Sequence, residues 1–165
     1  MIPKLENLIE ALREELQQYG EMLARLDQQQ EMVIRRAADD LLMCVAGIEE
    51  QVRILHAARK ERQVRQRALA LHLGLDQNAT FAELIPSLLE DYRPLVSALV
   101  QENNELLVRV QQRTRQNHLL LSRSLDLMQR FMNSLFGFGT NPVYNETGGT
   151  RARVLPSRPL YEAVG

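Results

Sequence analysis

The residues of this chain that could carry acid–base, nucleophilic or metal chemistry are few and scattered. Its three histidines are His56, His72 and His118, and none has a partner at metal-ligand spacing. The one cysteine, Cys44, can form no internal disulfide, and its place on an apolar stripe predicts a buried, inert thiol. There is no glycine-rich phosphate loop and no GxSxG. The acidic pairs Asp39–Asp40 and Glu49–Glu50 read as residues near helix N-termini, where carboxylates complement the dipole. No catalytic centre, metal site or cofactor is expected, and the chain does not read as an enzyme. The basic run Arg59, Lys60, Arg62, Arg65 and Arg67 has no interleaved aromatics for base stacking. It reads as the solvated end of a helix pair. With 20 Lys+Arg against 21 Asp+Glu, nothing points to nucleic acid or to an anionic membrane.

What remains is the chemistry of apolar contact, and helices must position it. Leu, Gln, Arg, Glu and Ala dominate the composition, as in long helices and coiled coils. Five of the eight glycines and three of the six prolines fall in residues 137–165, so the first 136 residues are nearly free of helix breakers. The periodicity predicts one helix from Pro3 to Arg36, with a heptad seam through Ile9, Leu12, Leu16, Tyr19, Leu23, Leu26, Gln30, Val33 and Ala37. "ADD" (Ala38–Asp40) offers an aspartate as N-cap to a second helix. Its seam is Leu41, Val45, Ile48, Val52 and Leu55, and it weakens through "AARKERQVRQR" before Leu69 and Leu73.

Gly74 and Asp76 end that helix, and a corner follows. There Thr80 and Glu83 fit a capping box, and Pro86 disfavours a helical Ile85. Pro94 opens the longest helix, which runs to Phe136 with Gly137 as its cap. Its seam, Val96, Leu99, Asn103, Leu106, Val110, Arg113, Asn117, Leu120, Ser124, Leu127 and Phe131, alternates apolar with polar. The expected fold is all-α: an elongated antiparallel bundle of three long helices and one short one over 1–136, with a mobile tail over 137–165.

The end of the last helix, "HLLLSRSLDLMQRFMNSLFGF", carries apolar residues on more than one face. A helix in a three-helix bundle needs one stripe. The surplus is either covered by the other helices or is an interaction surface, for which methionine is well suited. No apolar run approaches the ~20 residues that span a bilayer, and the N-terminus does not read as a secretory signal. A cytoplasmic location and no membrane insertion are expected. The sequons "NAT" and "NET" therefore read as chance matches.

Two stretches resemble the FlgN family of bacterial flagellar chaperones. One is "ENNELLVRVQQRTRQNHLLL", with Asn103, Asn104 and Asn117; the other is "VYNETGG", where Tyr144 is followed by Gly148. The helix order is also similar to that family. The resemblance implies a cytosolic export chaperone that binds hook–filament junction proteins of the FlgK and FlgL type and delivers them to the type III export gate, FlhA. On that reading Leu125, Met128, Phe131, Met132, Leu135 and Phe136 contact cargo, and Tyr144 contacts cargo or the gate. The competing expectation is a coiled-coil adaptor that homo-dimerises through its seams, with Gln30, Asn103, Arg113 and Asn117 setting register.

Overall fold

The computed structural model describes residues 1–136, with the side chains of Ala38, Phe131, Met132, Leu135 and Phe136 left out. The described residues are helical, with short connections and no strand, so the fold is all-α. The expectations for Gly137, for Tyr144 and for the tail lie outside them. The chain divides into two compact units, Met1–Leu120 and Leu121–Gly165.

Helix α1 spans Ile2–Arg35, with Pro3 in its first turn, where the missing N–H is not needed. It closes at Arg36, which takes the left-handed conformation at φ 55°. The N–H of Ala37 then donates to the Met32 carbonyl and that of Arg36 to Val33, both at 3.2 Å. This is a Schellman closure built on arginine where glycine is usual. The link is so tight that α2 (Ala38–His72) begins two residues later. The N-cap is consequently Ala37, with no side-chain cap hydrogen bond, and not an aspartate as expected. Asp39 and Asp40 lie in the first turn of α2 and act through the dipole. Glu49 and Glu50, expected near a helix start, lie in its interior. Its other end is a second Schellman closure, with Leu75 N–H to Ala70 O at 3.0 Å and Gly74 N–H to Leu71 O at 3.2 Å. Here Gly74 supplies the positive φ of 75°.

The corner holds α3 (Phe81–Leu84) and two 3₁₀ turns, Ile85–Ser87 and Glu90–Tyr92. The expected capping box forms: Thr80 N–H donates to the Glu83 carboxylate at 2.8 Å, and the Thr80 hydroxyl reaches the same oxygen at 2.9 Å. The Thr80 N–H holds the Glu83 carboxyl below its usual range. Ile85 does not take the extended conformation that a following proline favours; at φ −56°, ψ −44° it starts the first 3₁₀ turn. In so short a turn the missing Pro86 N–H interrupts no ladder. Helix α4 then runs Arg93–Phe136.

Side-chain bonds give the directions within the first unit. Glu15 of α1 pairs with Arg62 of α2, while Cys44 donates to the Arg25 carbonyl, so α1 and α2 are antiparallel. Asn103 donates to the Leu12 carbonyl and Asn117 to that of Leu26, each across 91 residues of chain, so α4 runs parallel to α1 in constant register. The larger apolar cluster lies at the corner end, where Leu5, Leu8 and Leu12 meet Leu69, Leu84, Leu88, Val96 and Leu99. A smaller one, Met22, Leu26 and Ile48 with Val110 packed on it, lies further along.

The α4 seam holds as expected through Asn117, with Val96, Leu99, Asn103 and Asn117 buried. In α1 the pattern was one residue off at three places. Glu15, Met22 and Gln29 are buried where Leu16, Leu23 and Gln30 were expected, and those three are half-buried. Among the buried residues of α1, Leu5, Leu8, Leu12, Glu15, Tyr19, Met22, Leu26, Gln29 and Val33 alternate by threes and fours, with Ile9 and Ala11 buried beside this row. Glu15 is tolerated there because Arg62 Nε reaches it at 2.7 Å. Arg62 also donates to Gln66 at 3.0 Å, and Gln66 donates to the Ala79 carbonyl at 2.8 Å. One member of the "solvated" basic run is thus a partly buried structural cation, with the Phe81 ring 5.8 Å from it.

Two stability predictions follow from these contacts. Arg36→Gly should remove left-handed strain and stabilise the chain by about 1 kcal/mol or less, read as a higher thermal midpoint. Arg62→Met should cost about 3 kcal/mol, because it strands a buried carboxylate, and Glu15→Leu added to it should recover most of that loss. Urea unfolding of the two variants measures the difference.

Candidate partner-binding site

The residues expected to meet cargo lie on the last turns of α4. Backbone from Leu121 to Phe136 is helical, so positions 121, 125, 128, 132 and 135 recur by fours and threes along one stripe. Positions 120, 127 and 131 follow the adjoining seam. Leu125 is 66% exposed and Met128 63%, and Leu127 beside them is 61% exposed. Phe131, Met132, Leu135 and Phe136 share the helix, but their side chains are outside the description, and Tyr144 lies beyond it. Leu127, which heptad spacing assigns to the packing seam, is uncovered as well, but two residues on from Leu125 it lies across the helix from that stripe. The signal for Leu127 was ambiguous, since heptad spacing is the same for a residue facing a neighbour and one left uncovered.

No polar constellation competes with this surface. Among the described residues, no group of three His, Cys, Asp or Glu could hold a metal ion, and no helix is long and apolar enough to cross a membrane. Cys44 is half-buried, and its S–H reaches the Arg25 carbonyl at 3.8 Å. Burial raises its pKa, with Arg25 opposing, so the unreactive thiol is favoured. The four polar residues proposed to set register between two copies are engaged inside one chain. Arg113 meets Asp27 at 2.7 Å and Gln30 at 2.6 Å. Asn117 donates to Leu26 O at 2.7 Å and to Gln29 Oε1 at 3.0 Å, and Asn103 to the Leu12 and Leu99 carbonyls at 3.0 Å.

Two further features escaped the sequence reading. Ile34 at the end of α1, with Leu42 and Met43 at the start of α2, are 67%, 73% and 79% exposed. A groove of about 620 Å³ also runs along α4 past Val100, Asn104 and Val108, with Ile85 at its edge. Neither was legible as a surface, because apolar residues on a helix look alike until the neighbours are placed.

Comparison with known proteins adds one positive finding. A family model described as FlgN protein matches residues 1–152. Searches of curated proteins and of solved structures find no match.

The exposure of Leu125 and Met128 has a direct consequence for stability. Leu125→Ser and Met128→Ser should each change folding free energy by no more than about 0.5 kcal/mol. Thermal denaturation of the full chain checks this; a loss of several degrees would mean that these side chains are covered in solution.

Proposed function

The chain belongs to the FlgN family, and from that premise we propose that it is a cytosolic flagellar export chaperone. It holds hook–filament junction proteins of the FlgK and FlgL type through the last turns of α4 and delivers them to an export gate of the FlhA type. No chemical step is required. The observation that carries the reading is the exposed pair Leu125 and Met128, one turn apart on a helix that the sequence continues with Phe131, Met132, Leu135 and Phe136; Leu127 is exposed on another side.

The physics of holding an export substrate fits such a surface. A subunit waiting for export has amphipathic helices whose final partners are absent, and exposed apolar stripes self-associate. A chaperone helix that lends its own stripe covers them at roughly 25 cal/mol per Å² of apolar area. Translational and ordering costs take back a large part of this, which leaves a complex that can release its cargo. Methionine at the contact adapts to more than one subunit. The adaptor reading gains no support from the polar seam residues, because their hydrogen bonds are made within one chain.

The test uses the full chain with Leu125→Asp and Met128→Asp combined, titrated against purified FlgK-type and FlgL-type subunits by calorimetry. Affinity should fall about a hundredfold while the thermal midpoint holds. Unchanged affinity for both subunits would remove the end of α4 from the cargo site. Tyr144→Ala then separates the two roles left to that residue: weaker cargo binding assigns it to cargo, and weaker capture by the FlhA-type gate with cargo affinity intact assigns it to delivery.

A further inference from the structure

A pair of packed helices has a groove on each flank. On α1, Asp27 and Gln30 belong to the flank that meets α4 through Arg113. Arg25, Gln28 and Met32 recur by threes and fours on the opposite flank of the α1 seam. With Met43, Cys44 and Gly47 of α2 they line a cleft of about 270 Å³ between the two helices.

Arg25 is unusual in this cleft. Its Nε is buried and has no hydrogen-bond partner, and none of the ion pairs among the described residues includes it. A buried, unpaired guanidinium nitrogen is costly, and such groups in a folded chain call for a partner. Asp40 also lines the cleft, yet it makes no ion pair with Arg25. The guanidinium lies against Gly47 of the facing helix, where a Cβ would come within 2.8 Å of Nη1 and push the side chain aside. At the mouth, Met43 leaves 79% of its surface uncovered.

We propose that this cleft is a second docking site, and that its occupant is an amphipathic helix of the cargo carrying one carboxylate beside its apolar stripe. The apolar stripe packs on Met32 and Met43, and the carboxylate accepts from the Arg25 guanidinium. A groove between two packed helices is where ridges of a third helix can seat, and Arg25, the one cation that lines this cleft, offers a carboxylate its partner. Asp40 at the same cleft favours a cargo helix with a basic residue further along. The assignment rests on the reading of the chain as an export chaperone, and it adds a contact that the last turns of α4 do not make.

The experiment is calorimetric titration of purified FlgK-type and FlgL-type subunits, each in turn, into the full chain, its Arg25→Gln variant and its Met43→Glu variant, at two NaCl concentrations. Sedimentation and a thermal midpoint are recorded for each protein. Arg25→Gln should weaken binding about tenfold and reduce its salt dependence, and Arg25→Lys should restore part of the loss. Met43→Glu should weaken binding about tenfold or more by placing a like charge at the mouth. Its exposure makes it the deciding variant if Arg25→Gln fails to fold. If the wild-type chain binds and both variants match it, the cleft is not a cargo site, and the export-chaperone reading stands. If the wild-type chain binds neither subunit type, that reading falls and this one with it. If the variants turn a dimer into a monomer at unchanged cargo affinity, the occupant is a second copy and the proposal is overturned.

Discussion

Polar residues inside the α1 seam constrain everything that packs against it. Glu15 and Gln29 interrupt an otherwise apolar row from Leu5 to Val33, and both are buried. A helix can cover such a row only if it brings donors at the right levels, since an unpaired buried carboxylate or amide costs several kcal/mol. Helix α2 answers Glu15 with Arg62, and α4 answers Gln29 with Asn117. Asn103 and Asn117 also donate to α1 carbonyls in a constant register. A slip of α4 by a turn would break its three bonds to α1 together, so polar pairing decides the alignment and apolar burial supplies the bulk of the attraction.

The same seam divides the first unit by character. Toward the corner, leucines from α1, α2, α3 and α4 make the larger apolar cluster, closed by the capping box and the Schellman turn at Gly74. Toward the α1–α2 link the cluster is smaller, and polar contacts of Asp27, Gln30 and Gln29 with Arg113 and Asn117 join α1 to α4. A region with few buried apolar contacts is the part of a fold that opens most readily. The uncovered Ile34, Leu42 and Met43 lie at this less densely packed end. Within the first unit the larger apolar cluster thus lies at the corner end and these uncovered apolar residues at the other.

Much of this was legible in residue order. With only Pro3, Gly20 and Gly47 as breakers before Gly74, long helices were to be expected, Thr80 and Glu83 announced the cap of α3, and Pro94 opened α4 where expected. The α4 seam was readable because its asparagines recur in phase with its leucines. The α1 seam was misread at Glu15, Met22 and Gln29, because a pattern reading prefers Leu16 and Leu23 and has no means of knowing that Arg62, 47 residues away, will neutralise a carboxylate. The first helix stop at Arg36 was close, but its left-handed arginine was not foreseeable, since that conformation favours glycine.

By itself, then, residue order determined an all-α chain and the approximate bounds of its long helices, since these depend on local propensity, breakers and period; the family followed separately, from the likeness of particular stretches and the family model. It also showed that the last turns of α4 carry more apolar residues than one stripe requires. Only the tertiary structure decided which of them are exposed, which polar residues are buried with partners, and that Arg25 is left without one. Those properties depend on atoms brought together across tens of residues of chain, and periodicity carries no information about what stands on the other side of a seam.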